Sequence, residues 1–227
     1  MSALRLQDLA WPDVGELAGV ILAVPLGATE QHGPHLPLSV DTDVAVALCE
    51  RLALVRDDVL VAPAVAYGSS GEHAGFPGTL SIGQDALELV VLELGRSAGE
   101  TFDHVLFVSA HGGNAEPLRR AADQLRFEGR DVCVFMPHWN GDPHAGRAET
   151  SLMLALDPVR VGMHAAEPGD QRPLAATLPQ MRAGGVRAVS PNGVLGNPVG
   201  ATAADGAALL GGLTADLVAS VAAWRAT

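Results

Sequence analysis

Residues 20–43 read VILAVPLGATEQHGPHLPLSVDTD. The first seven form a short, continuous apolar run, the pattern of a strand covered on both faces, and a stretch dense in glycine and proline follows. From Asp41 onward the apolar residues recur with a helical period. A buried strand, a tight loop and a helix in that order open a βαβ unit. Apolar runs at 59–65, 105–109 and 132–136 repeat the pattern, and helix-period segments fall at 41–55, 84–101 and 116–128. The chain is therefore expected to be an α/β protein with a mostly parallel sheet and helices on both sides. Beyond Trp139 the rhythm changes. A helix is expected after His144, an irregular Pro/Gly-rich stretch up to Gly200, and an alanine-rich helix over 201–224. No linker or repeat divides the 227 residues, so one domain spanning 1–227 is expected.

Composition narrows the function classes. A formal charge of −12 with no Lys/Arg cluster argues against a nucleic-acid partner. Mean hydropathy is positive, +0.23, but alanine and glycine supply much of it. No apolar run approaches the roughly 20 residues of a membrane span, so no membrane partner is expected. The opening MSALRLQDLAWPDV lacks a basic-then-apolar signal pattern, and a cytoplasmic location is expected. Cys49 and Cys133, 84 positions apart with no CxxC spacing, read as reduced core thiols.

The polar residues sort along the sheet. Glu30 and His32 follow the first strand, Tyr67–His73 the second, His111 the third and His138 the fourth. Sites in open α/β sheets form outside the carboxyl ends of strands, so one rim collects most of the histidines. His104 precedes its strand and His164 lies in the irregular stretch; both are expected to be surface residues. Imidazole and carboxylate together suit a divalent cation, and a catalytic site keeps one position open. Glu30 and His32, two apart in an extended segment, point to one side. Asp41 stands where a helix begins, so it caps that helix or, with Asp43 two residues on, one caps while the other coordinates. The glycines of HGGN, from His111, let the backbone approach a ligand closely, or simply make a tight turn. Glu149 in HAGRAETS, residues 144–151, is either a first-turn acid favouring the helix dipole or a ligand. The segment SSGEHAGFPGTLS, residues 69–81, reads as a substrate-shaping loop or a rigid turn around His73. No GxSxG, GxGxxG, P-loop or HExxH motif occurs.

These blocks, GATEQHGPHLPLSVD, EHAGFPGT, HGGN after a strand and HAGRAETS, resemble the signature segments of the creatininase family of metal-dependent amidohydrolases, in the family's order. The resemblance covers roughly residues 22–156 and implies a three-layer α/β/α sandwich. It also implies two divalent cations per subunit, zinc, iron(II) or manganese, bridged by an aspartate and a water. Carried over by position, Glu30 and His111 bind one metal, His32 the other, and Asp41 bridges them. Where creatinine amidohydrolase places a glutamate two residues past that histidine, this chain has Gly113, and Glu149 is the expected substitute. Ser109-Ala110 also replaces a more common Asn-Gly pair.

The chain as a whole looks most like a branch of the family that trims a modified precursor peptide. The implied substrate ends in a decarboxylated, cyclised Val-Tyr unit, and cleavage before the valine by a metal-held hydroxide releases a pyrrolidinone. His144 is then the proton donor to the leaving amine, with His35, His73 and Asp43 as outer-shell or substrate residues. A homo-oligomer is implied, with the segment after residue 157 supplying its interface. Competing readings are an amidohydrolase acting on a small cyclic amide or a formamide, and a non-catalytic, metal-stabilised peptide-binding module.

Overall fold

The computed structural model describes residues 3–226. Its elements are α1 (Trp11–Gly15), β1 (Ile21–Leu26), α2 (Val40–Val55), β2 (Val59–Val61), α3 (Gln84–Ala98), β3 (His104–Ser109), α4 (Ala115–Phe127), β4 (Asp131–Phe135), α5 (Arg147–Leu156), α6 (Leu174–Val189) and α7 (Ala203–Arg225). The four strands form a wholly parallel sheet in the order β2-β1-β3-β4.

Alternation along the strands builds three layers. Ile21 and Ala23 of β1, with Leu106 and Val108 of β3, face a core made with Val44, Leu48 and Leu52 of α2, Leu152 and Met153 of α5, and Leu210, Leu213 and Leu217 of α7. Leu22 and Val24, with Val105 and Phe107, face the other core, made with Leu87 and Val91 of α3 and Leu118 and Leu125 of α4. Because both faces are covered, the strands read as unbroken apolar runs, and the chain is the α/β/α sandwich expected.

The structure corrects three details. Strand β2 ends at Val61 rather than 65, since Pro63 carries no amide hydrogen; Val65 rejoins the ladder through its amide to the Pro25 carbonyl at 2.9 Å. The stretch read as irregular contains α6. Its helical period is masked by Pro179 and by Gly185, which kinks the helix at φ 71°. Finally, α7 is 23 residues long and contains an 18-residue stretch with a mean hydropathy of 1.6, long and apolar enough by length and composition to cross a membrane. In this fold it lies on α5 and α2 and buries Leu210, Leu213, Leu217 and Val221.

The topology sets where the side chains of the rim lie. All four strands run the same way, so the segments leaving β1, β2 and β3 emerge together. Asn114 ties these exits to one another. Its Nδ2 donates to the Gly27 carbonyl at 3.0 Å and to Ser109 Oγ at 3.2 Å, while Oδ1 accepts from the Ser69 amide at 2.9 Å.

Candidate metal centre

Glu30 lies at the end of the loop from β1, completely buried, with its amide bonded to the Leu38 carbonyl at 3.0 Å. Two residues on, the His32 ring turns back so that Nδ1 donates to the Glu30 carbonyl at 3.2 Å. That bond leaves Nε2 facing Asp41 Oδ1 at 3.3 Å and Glu149 Oε2 at 3.9 Å. His111 is set in the complementary way. Its Nε2 donates to the Ser69 carbonyl at 2.9 Å, and Nδ1 faces Asp41 Oδ2 at 3.2 Å. Asp41, in the first turn of α2, therefore offers one oxygen to each histidine. Glu30 Oε2 lies 3.3 Å from His111 Nε2, and Glu30 Oε1 lies 3.3 Å from His73 Nε2.

The remaining candidates fall on both sides of the boundary. Glu149, in the first turn of α5, accepts from the Ala145 amide and belongs to the cluster. His144 and His73 are buried inside it as well. His35 is buried behind α5, its Nε2 2.9 Å from Thr150 Oγ1. Asp43 is turned to Ser39 and Arg160, at 2.8 and 2.7 Å, and stands outside the cluster. His138 and His164 are exposed. His104 sits at the opposite end of the sheet, half-buried, 2.8 Å from Asp131.

Protonation in this pocket is strongly displaced. Burial, reinforced by Asp41, pushes Glu30 up to about 8, and burial pushes Glu149 up to about 7. Burial opposes charge on His32 and His111, but Asp41 outweighs it and carries both to about 10. Burial also disfavours the Asp41 carboxylate, yet the two imidazoles hold it well below the usual range. Burial depresses His73 to about 3, His35 to about 4, and His144 well below the ordinary histidine value. A protein of this size gains nothing in stability from burying three carboxylates and four imidazoles together unless something else neutralises them.

The donor atoms themselves point to cations. Both oxygens of Glu30, His32 Nε2 and Asp41 Oδ2 are buried with no hydrogen-bond partner, which is costly for groups that water would otherwise satisfy. Three buried groups of side chains bring ligand atoms within 4.8 Å of one another: Glu30, Asp41 and His111; His32, His144 and Glu149; and Glu30, His73 and His144. Such N/O donor sets suit zinc, manganese or iron.

The family model for creatininase, creatinine amidohydrolase, matches residues 7–221. The chain belongs to the creatininase family. Among curated relatives, the mycofactocin precursor peptide peptidase of Mycobacterium tuberculosis is 44% identical over 236 residues, covering 94% of this chain and 93% of that protein. The protein of the same name from Mycolicibacterium smegmatis is 50% identical over 194 residues, covering 82% and 78%. Among solved structures, creatinine amidohydrolase (creatininase) superposes with a TM-score of 0.79 at 25% identity, over 96% of each chain. A structure named Creatininase Mn gives 0.80 at 24%, over 96% of this chain and 97% of that one. This creatininase-family chain is accordingly a hydrolase of C–N bonds, and its buried donor cluster belongs to a family with metal-bearing members.

The sequence points to nine of the candidate site residues above but passes over Gln31. Its carboxamide is buried among His73, His144 and the Gly193 carbonyl, contacts that reach 42, 113 and 162 residues along the chain. No local motif signals them.

Proposed function

We propose that this hydrolase matures a modified precursor peptide of the mycofactocin type, cleaving the amide before a C-terminal, decarboxylated and cyclised Val-Tyr unit and releasing the pyrrolidinone. The observation that carries this reading is the 44–50% identity to relatives named for that peptide, over most of the chain. Gly113 supports it too, because the carboxylate set here draws on Glu149 instead of a glutamate in the HGGN turn.

Glu30, Asp41 and His111 would hold one divalent cation, and His32, Asp41 and Glu149 the other. Bound there, the pair supplies a Lewis acid for the scissile carbonyl and a water acidic enough to act near neutral pH. The chain's own residues do the rest. Asp41 keeps its two oxygens apart by facing different histidines, and the Glu30 and Ser69 carbonyls hold those rings in place. His144 lies 3.8 Å from Glu30 Oε1 through Nδ1, inside the pocket, where a proton taken from the reacting water can be handed to the departing amine. A substrate that ends without a carboxylate needs no arginine clamp. Arg147 is instead engaged with Asp205 at 2.9 Å.

Protein purified without chelator should be analysed for metal and then incubated separately with the modified peptide, creatinine and a formamidopyrimidine, with products read by mass spectrometry. Release of the pyrrolidinone from the peptide is the expected result. Turnover of creatinine or of the formamide with the peptide left intact would overturn the reading. His144→Ala should retain metal while turnover falls about 100-fold or more.

A further inference from the structure

We infer that Gln31 sets the tautomers of His73 and His144, so that His73 serves as an outer-sphere partner of Glu30 and His144 presents a free Nδ1 to the reaction. The residue lies between two signature ligands, yet its side chain coordinates nothing and is itself pinned.

The orientation of the Gln31 carboxamide is settled by two backbone groups. Its Oε1 accepts from the Gly33 amide at 2.8 Å, and its Nε2 donates to the Gly193 carbonyl at 3.0 Å. Rotating the amide by half a turn would set oxygen against a carbonyl and an NH2 group against an N–H, so only one orientation is compatible with both. Both glycines have left-handed backbone, φ 67° for Gly33 and φ 80° for Gly193. Gly193 is also required for space, since a β-carbon there would fall 1.9 Å from Gln31 Oε1.

With the amide so fixed, its two hydrogens are assigned. One goes to Gly193 and the other to His73 Nδ1 at 2.8 Å. His73 Nδ1 is then an acceptor, and its proton sits on Nε2, facing Glu30 Oε1 at 3.3 Å. A protonated Nε2 cannot ligate a cation, which removes His73 from the third group of candidate donors. The same carboxamide has no hydrogen left for His144 Nε2, although it stands 3.1 Å away. That nitrogen instead lies 2.8 Å from the Gln31 carbonyl, a group that can only accept, so His144 too is protonated on Nε2. Its Nδ1 is left as a lone pair directed at the pocket. The His144 backbone is fixed by a two-bond bridge to Leu195, at 3.3 and 2.9 Å, so one segment, 193–195, seats both Gln31 and His144. Three overlapping donor groups reduce to two, one containing Asp41 and the other facing it through His32.

The inference deepens the proposed reaction but rests on it only for its kinetic arm. Long-range 15N spectra of the zinc-loaded protein should show His73 and His144 each protonated on Nε2. Replacing the donor with an acceptor of equal length, Gln31→Glu, should move the His73 proton to Nδ1. The same variant should lower kcat on the peptide about 10- to 100-fold, with KM and bound metal unchanged. Gln31→Met, which neither donates nor accepts, should leave His73 as a mixture of tautomers and serves if the glutamate variant does not fold. A wild-type spectrum with His73 protonated on Nδ1, or a Gln31→Met protein whose His73 keeps the single Nε2 form, would overturn the inference. So would a kcat loss that tracks loss of metal. Because the spectra need no substrate, they decide the tautomers even if the peptide proves not to be cleaved.

Discussion

A β-carbon on Gly113 would stand 2.2 Å from the Ser69 carbonyl, 2.5 Å from His111 Nε2 and 2.6 Å from Glu72 Oε1. The loop after β2 therefore occupies the volume that a longer side chain in the HGGN turn would need. Gly113→Glu is expected to displace His111 and lower bound metal rather than install another ligand, as elemental analysis of the purified variant will show. Protons and cations compete for the same donors, and the direction follows from the shifts. Without cations, the native chain keeps protons on Glu30 to about pH 8, on Glu149 to about 7, and on His32 and His111 to about 10. The unfolded chain gives them up near 4.5 and 6.5, so the native state binds more protons between pH 6.5 and about 10. The contribution of the two histidines is complete below about 6.5 and is lost as pH rises through about 10. The Tm of chelator-treated protein should therefore fall between pH 6.5 and 9.5, while cation affinity rises over the same interval. Glu30, His32, Asp41, His111 and Glu149 were legible as candidates because signature blocks carry them. The place of His73 against Glu30, and Gln31 altogether, depend on contacts between distant segments that no local pattern encodes.

At the scale of elements, α5 and α7 approach backbone to backbone. A β-carbon on Gly206 would lie 1.8 Å from the Ser151 carbonyl, so the first turn of α7 rests directly on the backbone of α5, two residues past Glu149. Thr202 caps that turn, its hydroxyl accepting from the Asp205 amide at 3.0 Å. Two substitutions separate packing from positioning. Leu217→Ala, at a fully buried position near the middle of α7, should cost about 2–5 kcal/mol in denaturant unfolding with metal stoichiometry intact. Gly206→Ala should lower stability and also weaken cation binding, because it pushes against the helix that carries Glu149. The strands were readable as apolar runs because the sheet is covered on both faces. α6 was not, since its residues are mostly exposed and its period is broken by Pro179 and Gly185, leaving a propensity signal without a buried stripe.

For the molecule as a whole, the segment that follows α5 leaves Val159, Met163 and Leu174 on the surface, at 92, 37 and 40% exposure. We expect it to meet a second copy of the chain, so light scattering should return a mass that is a multiple of 23.3 kDa; a monomeric mass over the micromolar range would exclude this. The two cysteines are free, and the donors at positions 30, 41, 111 and 149 come from four separate stretches of chain. A cation pair seated on them acts as a reversible brace, in the role that covalent staples take in oxidising compartments. Trypsin should cut chelated protein faster than metal-replete protein, and refilling the site should restore its resistance. Supply of metal would then govern how long the chain survives as well as how fast it turns over.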